Sequence, residues 1–256
     1  MNRAYWVAFK SLLIKEVMRF GRIWVQTLVS PAITMALYFV VFGNLIGNRI
    51  GEMGGFSYMA YIIPGLIMMS VITNSYSNVA SSFFNTKMQR NIEELMVAPV
   101  PNYVIIAGYI GGGVTRGLAV GFIVSIVSLF FIELQIVYLD VIFATVLMTS
   151  IVFSLGGLIN AVYARTFDDI SLIPTFILTP MTYLGGVFYS LSLLSEFWQG
   201  VSKLNPIMYM VNAFRYGFLG VSDVSIVTSF SVLSMLIVSL YSVAWYLISR
   251  GIGLRT

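Results

Sequence analysis

Apolar runs long enough to cross a bilayer constrain this chain more than any other feature. A helical crossing needs about 20 consecutive apolar residues, and six runs of that order stand at about 23–46, 58–80, 103–132, 138–163, 170–190 and 224–249. Lipid offers no hydrogen bonds to a bare peptide group, so such runs must close their backbone bonds internally as helices. Only 9% of the residues are charged, against about 25% in a soluble domain, and mean hydropathy is +0.92. The expected fold is an all-α polytopic membrane protein: one domain over 1–256 with six transmembrane helices.

Residues 1–22 precede the first run and read as a helix of another kind. Trp6, Phe9, Leu13, Val17 and Phe20 share one face at helical spacing, and Lys15, Arg19 and Arg22 lie opposite. That pattern suits a helix lying along the membrane interface, with Lys10 and Glu16 snorkelling from its apolar edge. The same charges interrupt any signal-peptide core. If the N-terminus, the 81–102 loop, the 164–169 loop and the tail share one side, that side holds Arg3, Lys10, Lys15, Arg19, Arg22, Lys87, Arg90, Arg165, Arg250 and Arg255. The opposite side holds Arg49, Lys203 and Arg215. This bias predicts cytoplasmic termini and an even number of spans.

Residues 191–222 are amphipathic and are broken by Gly200 and by Asn205-Pro206. A seventh span there would put the tail outside and bury Asn212 and Arg215. The segment reads instead as two short helices in a re-entrant extracytoplasmic hairpin, before the last span and tail within 223–256. Such a hairpin is permitted where its backbone is buried in protein.

The absent residues narrow the chemistry. Cys and His are missing, which removes disulfides, thiol nucleophiles and the commonest metal ligand. No Gly-Lys pair occurs, so there is no phosphate-binding loop of the G-x-x-x-x-G-K-[ST] type. The spans hold no central Asp or Glu, which disfavours proton-coupled transport. Their one midspan charge is Arg116, in GYIGGGVTRGLAVG. Gly108/Gly112 and Gly117/Gly121 have the small-xxx-small spacing of a close helix seam. Arg116 either holds an anionic headgroup, pairs across the bundle, or sits near the cytoplasmic headgroups because the third helix begins late, near Gly111.

Pro174 and Pro180 interrupt the fifth run, with Thr175, Thr179 and Thr182 available to satisfy freed carbonyls and Tyr183 following. That stretch is either a gate beside a path or a kinked packing helix. The central segment TKMQRNIEELMVAPVP (Thr86 to Pro101) reads as a helix stopped by Pro99 and Pro101. Met88, Ile92 and Leu95 form an apolar stripe, and Lys87, Arg90, Asn91, Glu93 and Glu94 occupy the other faces. It is either a solvated loop helix or a plug for a soluble partner.

Two of these stretches resemble the ABC-2 type export permease family. One is Pro180 to Gly220, through Tyr183, Gly185, Gly186, Asn205, Pro206 and Arg215; the other is Arg90-x-x-Glu93-Glu94-Leu95 with Pro99. The resemblance implies a dimer of permease subunits, each with a separate cytoplasmic ABC ATPase that holds ATP and Mg, so that this chain binds no cofactor or metal and has no catalytic residue. It implies that the loop at about 86–98 is a coupling helix seated on the ATPase through Met88, Arg90, Ile92, Glu93, Glu94 and Leu95. It further implies that the interface helix (Trp6, Lys15, Arg19, Arg22) touches that subunit, and that the first and fifth spans meet across the dimer. The hairpin (Asn205, Pro206, Arg215) would cap the exit. The implied setting is a bacterial inner membrane, with lipid neighbours and no nucleic acid; the residues read above add a path or gate at Arg116, Thr175, Thr179 and Tyr183. Few polar groups in the spans favour a hydrophobic or amphipathic cargo. A stand-alone channel and a membrane scaffold are the alternatives from other classes.

Overall fold

The computed structural model describes residues 3–254; Arg255, counted above among the cytoplasmic charges, lies outside them. The chain is helical almost throughout. Helix α1 (Arg3–Arg22) turns through Ile23 into a long stretch built from α2 (Ser30–Tyr38) and α3 (Gly47–Ile50), with π-type turns at Val25–Val29 and Phe39–Ile46. A two-stranded hairpin follows, pairing Glu52 with Ser57 and Met53 with Phe56. Gly54 and Gly55 turn it with positive φ, a conformation that costs glycine little. The remaining elements are α4 (Tyr58–Met88), α5 (Asn91–Val97), α6 (Asn102–Ser128), α7 (Leu139–Tyr163), α8 (Phe167–Ile173), α9 (Thr179–Tyr183), α10 (Glu196–Lys203), α11 (Pro206–Leu219) and α12 (Ile226–Arg250).

Among the described residues, five helices are long and apolar enough to cross a membrane: Val25–Gly43, α4, α6, α7 and α12. The fifth apolar run forms the shorter α8–α9 stretch, joined by a π-type segment at Pro174–Leu178. Proline explains the break. Pro174 cannot donate to Ile170 O, and Asn160 Nδ2 takes that carbonyl instead at 3.2 Å. Thr179 Oγ1 donates to Pro174 O at 2.9 Å and Thr182 Oγ1 to Leu178 O at 2.6 Å, as expected of hydroxyls beside a kink.

Helix α4 is the central post. Its 31 residues span about 46 Å at 1.5 Å per residue, and it packs against α6, α7 and α11. Glycine permits the approach. A Cβ at Gly157 of α7 would collide with the backbone carbonyl of Tyr76, and Cβ atoms at Gly113 and Gly117 of α6 would collide with Ser154 and Val79, and with Ser75 and Ser150. The small-residue seam of α6 therefore exists, but it serves two partners. Gly113, Gly117 and Gly121 face α4 and α7, whereas Gly108, Gly111 and Gly112 receive Leu12, Leu13 and Glu16 of α1.

Four expectations need correction. The third long helix begins at Asn102, not near Gly111, because Pro101 fits just before a first turn whose N–H groups are unpaired in any case. The second runs eight residues beyond residue 80, to Met88. Gly200 does not break its segment, since α10 passes through it and the break falls at Leu204–Asn205 alone. Asn212 and Arg215 are buried after all, each 1% exposed.

The bundle has two distinct ends. At one end Lys87, Ile92, Val162, Ala164 and Leu254 pack together, which gathers α5, the α7–α8 connection and the C-terminal turn. At the other, Tyr61 meets Asp223 and Val137 meets Gly217. The connections grouped by charge in the sequence thus share ends in space.

Candidate functional site

The charged segment Thr86 to Pro101 is two helices, not one. Helix α4 ends at Met88 with Gln89 as its cap, Arg90 takes the left-handed conformation at φ 60, and α5 starts afresh at Asn91. The turn resets the helical phase, so Met88 does not continue into the Ile92–Leu95 stripe. Ile92 is 2% exposed and packs with Phe83, Phe84 and Ile106, with Leu95 half-buried beside it. The stripe anchors α5 to its own bundle. The outward surface consists of Met88, Arg90, Glu93, Glu94, Met96 and Val97, and Val97 is 87% exposed. Met96 and Val97 are absent from the sequence-derived site. A cleft of about 610 Å³ runs from Glu93, Met96 and Val97 to Ser249, Arg250, Gly251 and Leu254.

Lys87 was expected to face outward and is buried. Its Nζ donates to Val162 O at 2.6 Å and Ala164 O at 2.8 Å, supplying a cation to the carbonyl end of α7 where helices favour one. Helix α8 begins beside it with a capping box. Thr166 accepts from Asp169 N, and the Asp169 carboxylate accepts from the backbone N–H groups of Arg165 at 2.8 Å and Thr166 at 3.0 Å. Those backbone bonds hold the exposed Asp169 carboxyl below its ordinary range.

The interface helix docks with a face rotated from the one its periodicity suggested, keeping Phe9, Leu13 and Val17 half-buried at its edge. Leu12, Glu16 and Phe20 are buried, whereas Trp6, Val7, Ile14 and Met18 are exposed. Lys15 stays outward with Nζ 5.8 Å from the Tyr109 ring, and Arg22 is exposed. Arg19 departs from them and turns inward. Its Nη2 donates to Asn78 O and Asn78 Oδ1 at 2.8 Å each, and its Nε donates to Glu16 Oε2 at 3.4 Å. Glu16 is fully buried and also accepts from Ser82 Oγ at 2.6 Å. One turn along α6, Arg116 Nη2 donates to Asn74 Oδ1 at 2.8 Å. The sequence held one usable sign of this polar row: Glu16 stands i, i+4 between Leu12 and Phe20, opposite a glycine pair.

The family-resembling positions at the other end converge on one clasp. Arg215 Nε donates to Tyr61 O at 3.2 Å, Nη2 to Gly186 O at 2.6 Å, and the guanidinium lies 3.9 Å from the Tyr61 ring centroid. Gly186 has φ +73 and Gly185 packs against Ile207. Asn205 Nδ2 donates to Met181 O at 2.5 Å and its Oδ1 caps α11 through Ile207 N, with Pro206 in the first turn. Asp223, missed from sequence, ties the loop by accepting from Ser190 Oγ at 2.8 Å and Leu191 N at 3.0 Å. Tyr183 stacks on Phe188 with ring centroids 5.6 Å apart. Thr175 is exposed about two turns earlier on the kinked stretch. The structure keeps these three groups apart: Arg116 is in the polar row, Thr175, Thr179 and Tyr183 are on α8–α9, and Arg215 is in the clasp.

Long apolar helices, an amphipathic helix docked at one end and a short helix presented beyond it are the build of a multi-pass membrane protein. The chain belongs to the ABC-2 type transporter family, whose match covers residues 7–219. It is 65% identical over 256 residues, all of both chains, to the inner membrane transport permease YadH of Escherichia coli strain K12. It is 23% identical over 185 residues to nodulation protein J of Neorhizobium galegae, covering 72% of this chain and 71% of that one. The family resemblance carried by Pro180–Gly220 and Arg90–Pro99 is borne out.

Proposed function

We propose that this chain is the permease subunit of an ATP-binding-cassette exporter. In this reading two copies pair in a bacterial inner membrane with two copies of a separate cytoplasmic ATPase, which binds the ATP and Mg. Both termini face the cytoplasm. The α8–α9 stretch is a sixth crossing and, with the Val25–Gly43 helix, meets the second copy; α10 and α11 form a re-entrant cap on the outer side. The cargo is hydrophobic or amphipathic and moves outward. Residues 1–22 serve as the interface helix, 23–190 carry five spans and the coupling helix, 191–222 the cap, and 223–256 the last span and tail.

The observation that carries this reading is α5. It is fixed to the bundle by Ile92 and presents Glu93, Glu94, Met96 and Val97 outward beside an open cleft. A helix bound on one face and bare on the other suits a joint for a partner, and in this reading the partner supplies the nucleotide site that a chain without a phosphate loop lacks. Detergent extraction should recover the chain with an ATPase in one-to-one ratio. Reversing the charge of both Glu93 and Glu94, or replacing Val97 by Asp, should lower transport-linked ATP turnover and leave the permease folded. A chain that purifies alone and conducts alone would be a channel, and a chain that keeps its partner without cargo-stimulated turnover would be a scaffold.

A further inference from the structure

Helix α4 is enclosed along its length except on one line. Between Tyr61 and Lys87 every residue is buried but Met69, Thr73, Ser77, Ser81 and Asn85, which recur at i, i+4 and so form one ridge that winds slowly around the helix. Thr73 Oγ1 donates to Met69 O and Ser81 Oγ to Ser77 O, so the Thr73–Ser77–Ser81 part of it is small and hydroxylated, with the Thr73 and Ser81 hydroxyls satisfied within their own helix.

The adjacent row on α4, one residue further on, is Asn74, Asn78 and Ser82, and it holds two guanidiniums. Asn74 Oδ1 positions Arg116 and Asn78 Oδ1 positions Arg19. The Arg19 side chain remains 26% exposed. One carboxylate, Glu16, stands against two cations held by asparagines one helical turn apart on α4. Arg116 Nε and Asn78 Nδ2 are buried without an acceptor. Buried donors left over in native proteins ordinarily have a partner, and here an anion would also balance the excess positive charge.

The depth of the row fixes the kind of anion. Glu16 of α1 rests on Gly112, and Arg116 is four residues further along α6, about 6 Å deeper at 1.5 Å per residue. A helix such as α1 lies at the boundary of headgroups and acyl chains. A guanidinium one turn beyond it stands just inside that boundary, where the anion that lipid supplies is a headgroup phosphate drawn inward, a group that guanidinium recognises through paired N–H donors.

We propose that Arg19 and Arg116, beside the open Thr73–Ser77–Ser81 face of α4, bind the phosphate of an anionic amphipath drawn from the inner leaflet. This deepens the exporter reading by naming the headgroup chemistry of its cargo, and it rests on that reading only for the transport step.

The test is titration of the purified full-length chain in neutral detergent, without ATPase, using dioctanoyl phosphatidic acid, dioctanoylglycerol and inorganic phosphate. Saturable binding of phosphatidic acid is expected, at least tenfold tighter than either of the others. Arg116→Gln should weaken it tenfold or more. Ser77→Val, which fills the open face without touching the buried row, should weaken it severalfold at an unchanged melting temperature. That second variant decides the matter if Arg116→Gln fails to fold. Wild-type affinity in Ser77→Val together with any folded Arg116→Gln overturns the site. Equal affinity for dioctanoylglycerol overturns the phosphate, and equal affinity for inorganic phosphate overturns the amphipath. Failure of the exporter reading shows separately, as a chain that binds the probe and recruits no ATPase.

Discussion

Arg19 and Glu16 are the two halves of one ion pair, yet their removal should not cost the same. Glu16 has no exposed surface, and its carboxylate accepts from Ser82 Oγ at 2.6 Å and Arg19 Nε at 3.4 Å. In Arg19→Ala the carboxylate keeps a single neutral hydroxyl donor in a dry site. Stranding a buried charge in this way costs about 3–5 kcal/mol. In Glu16→Ala the cation is not stranded. The Arg19 side chain is 26% exposed and retains both 2.8 Å bonds to Asn78, so the loss is the long bond from Arg19, the 2.6 Å bond from Ser82 Oγ and packing on Gly112, about 1–3 kcal/mol. The expected gap is about 2 kcal/mol, and a double variant Arg19→Ala/Glu16→Gln should recover much of it by removing the stranded charge. Reversible unfolding of the detergent-solubilised chain in rising dodecyl sulfate measures all four proteins. If Glu16→Ala costs as much as Arg19→Ala, or the double variant is no better than Arg19→Ala, the row is not an inward-facing charge held by its partner.

Three further outcomes follow from other parts of the structure. Lys87→Met removes both donors to Val162 O and Ala164 O; it should cost about 1.5–3 kcal/mol as hydrogen bonds from a charged group and speed tryptic cleavage after Arg165. Gly157→Leu drives a Cβ into the Tyr76 carbonyl, backbone that cannot swing aside, so its cost should reach or exceed the about 1–3 kcal/mol usual for overpacking; Gly200→Ala, with nothing within 4 Å, should instead stabilise α10 by about 0.5–1 kcal/mol, both read by thermal unfolding in detergent. Thr166→Ala should cost about 1 kcal/mol by uncapping α8. Because the Asp169 carboxyl is held below its ordinary range, its share of that cap is present above the unfolded value of about 3.9 and fades as pH falls below it, which hydrogen exchange at residues 167–170 will register between pH 6 and pH 3.

The helices were legible because lipid leaves an apolar chain almost no other choice, and the directions of individual side chains were not. Arg90 shows why. A non-glycine residue at φ 60 has no sequence mark, yet it resets the phase of everything after it. Met88, Ile92 and Leu95, one stripe on a continuous wheel, became an exposed helix end, a core residue and a half-buried flank. Periodicity also assigned Lys87 and Arg19 to water, because a wheel ranks residues by polarity and cannot see unfilled carbonyls or an Asn waiting on another helix. Arg215 failed in the opposite sense. Its charge argued against burial, and its burial rests on Tyr61 O and on Gly186 O, the latter exposed to it by a turn with φ +73. No pattern local to residues 206–219 contains either acceptor.

These buried polar ties decide how a load placed on α5 would travel. Ile92 fixes α5 against Phe83 and Phe84 of α4, and Lys87 fixes α4 to the end of α7. Close packing at Gly157 leaves those two helices no room to slide past one another by small steps. Arg215 holds the far end of α4 to the turn at Gly186. A displacement at α5 therefore has little to yield within the α4–α7 body. The next element it meets is α8, through the edge contact of Phe84 with Phe167 at 4.9 Å. There the winding loosens to π-type turns over Pro174–Leu178, with Thr179 Oγ1 holding Pro174 O. Turns of that kind concentrate where helices must bend. The α8–α9 stretch is thus where a push on α5 would become a change of shape, and under the exporter function proposed above, stiffening it with Pro174→Ala should uncouple ATP turnover from transport while the complex still assembles.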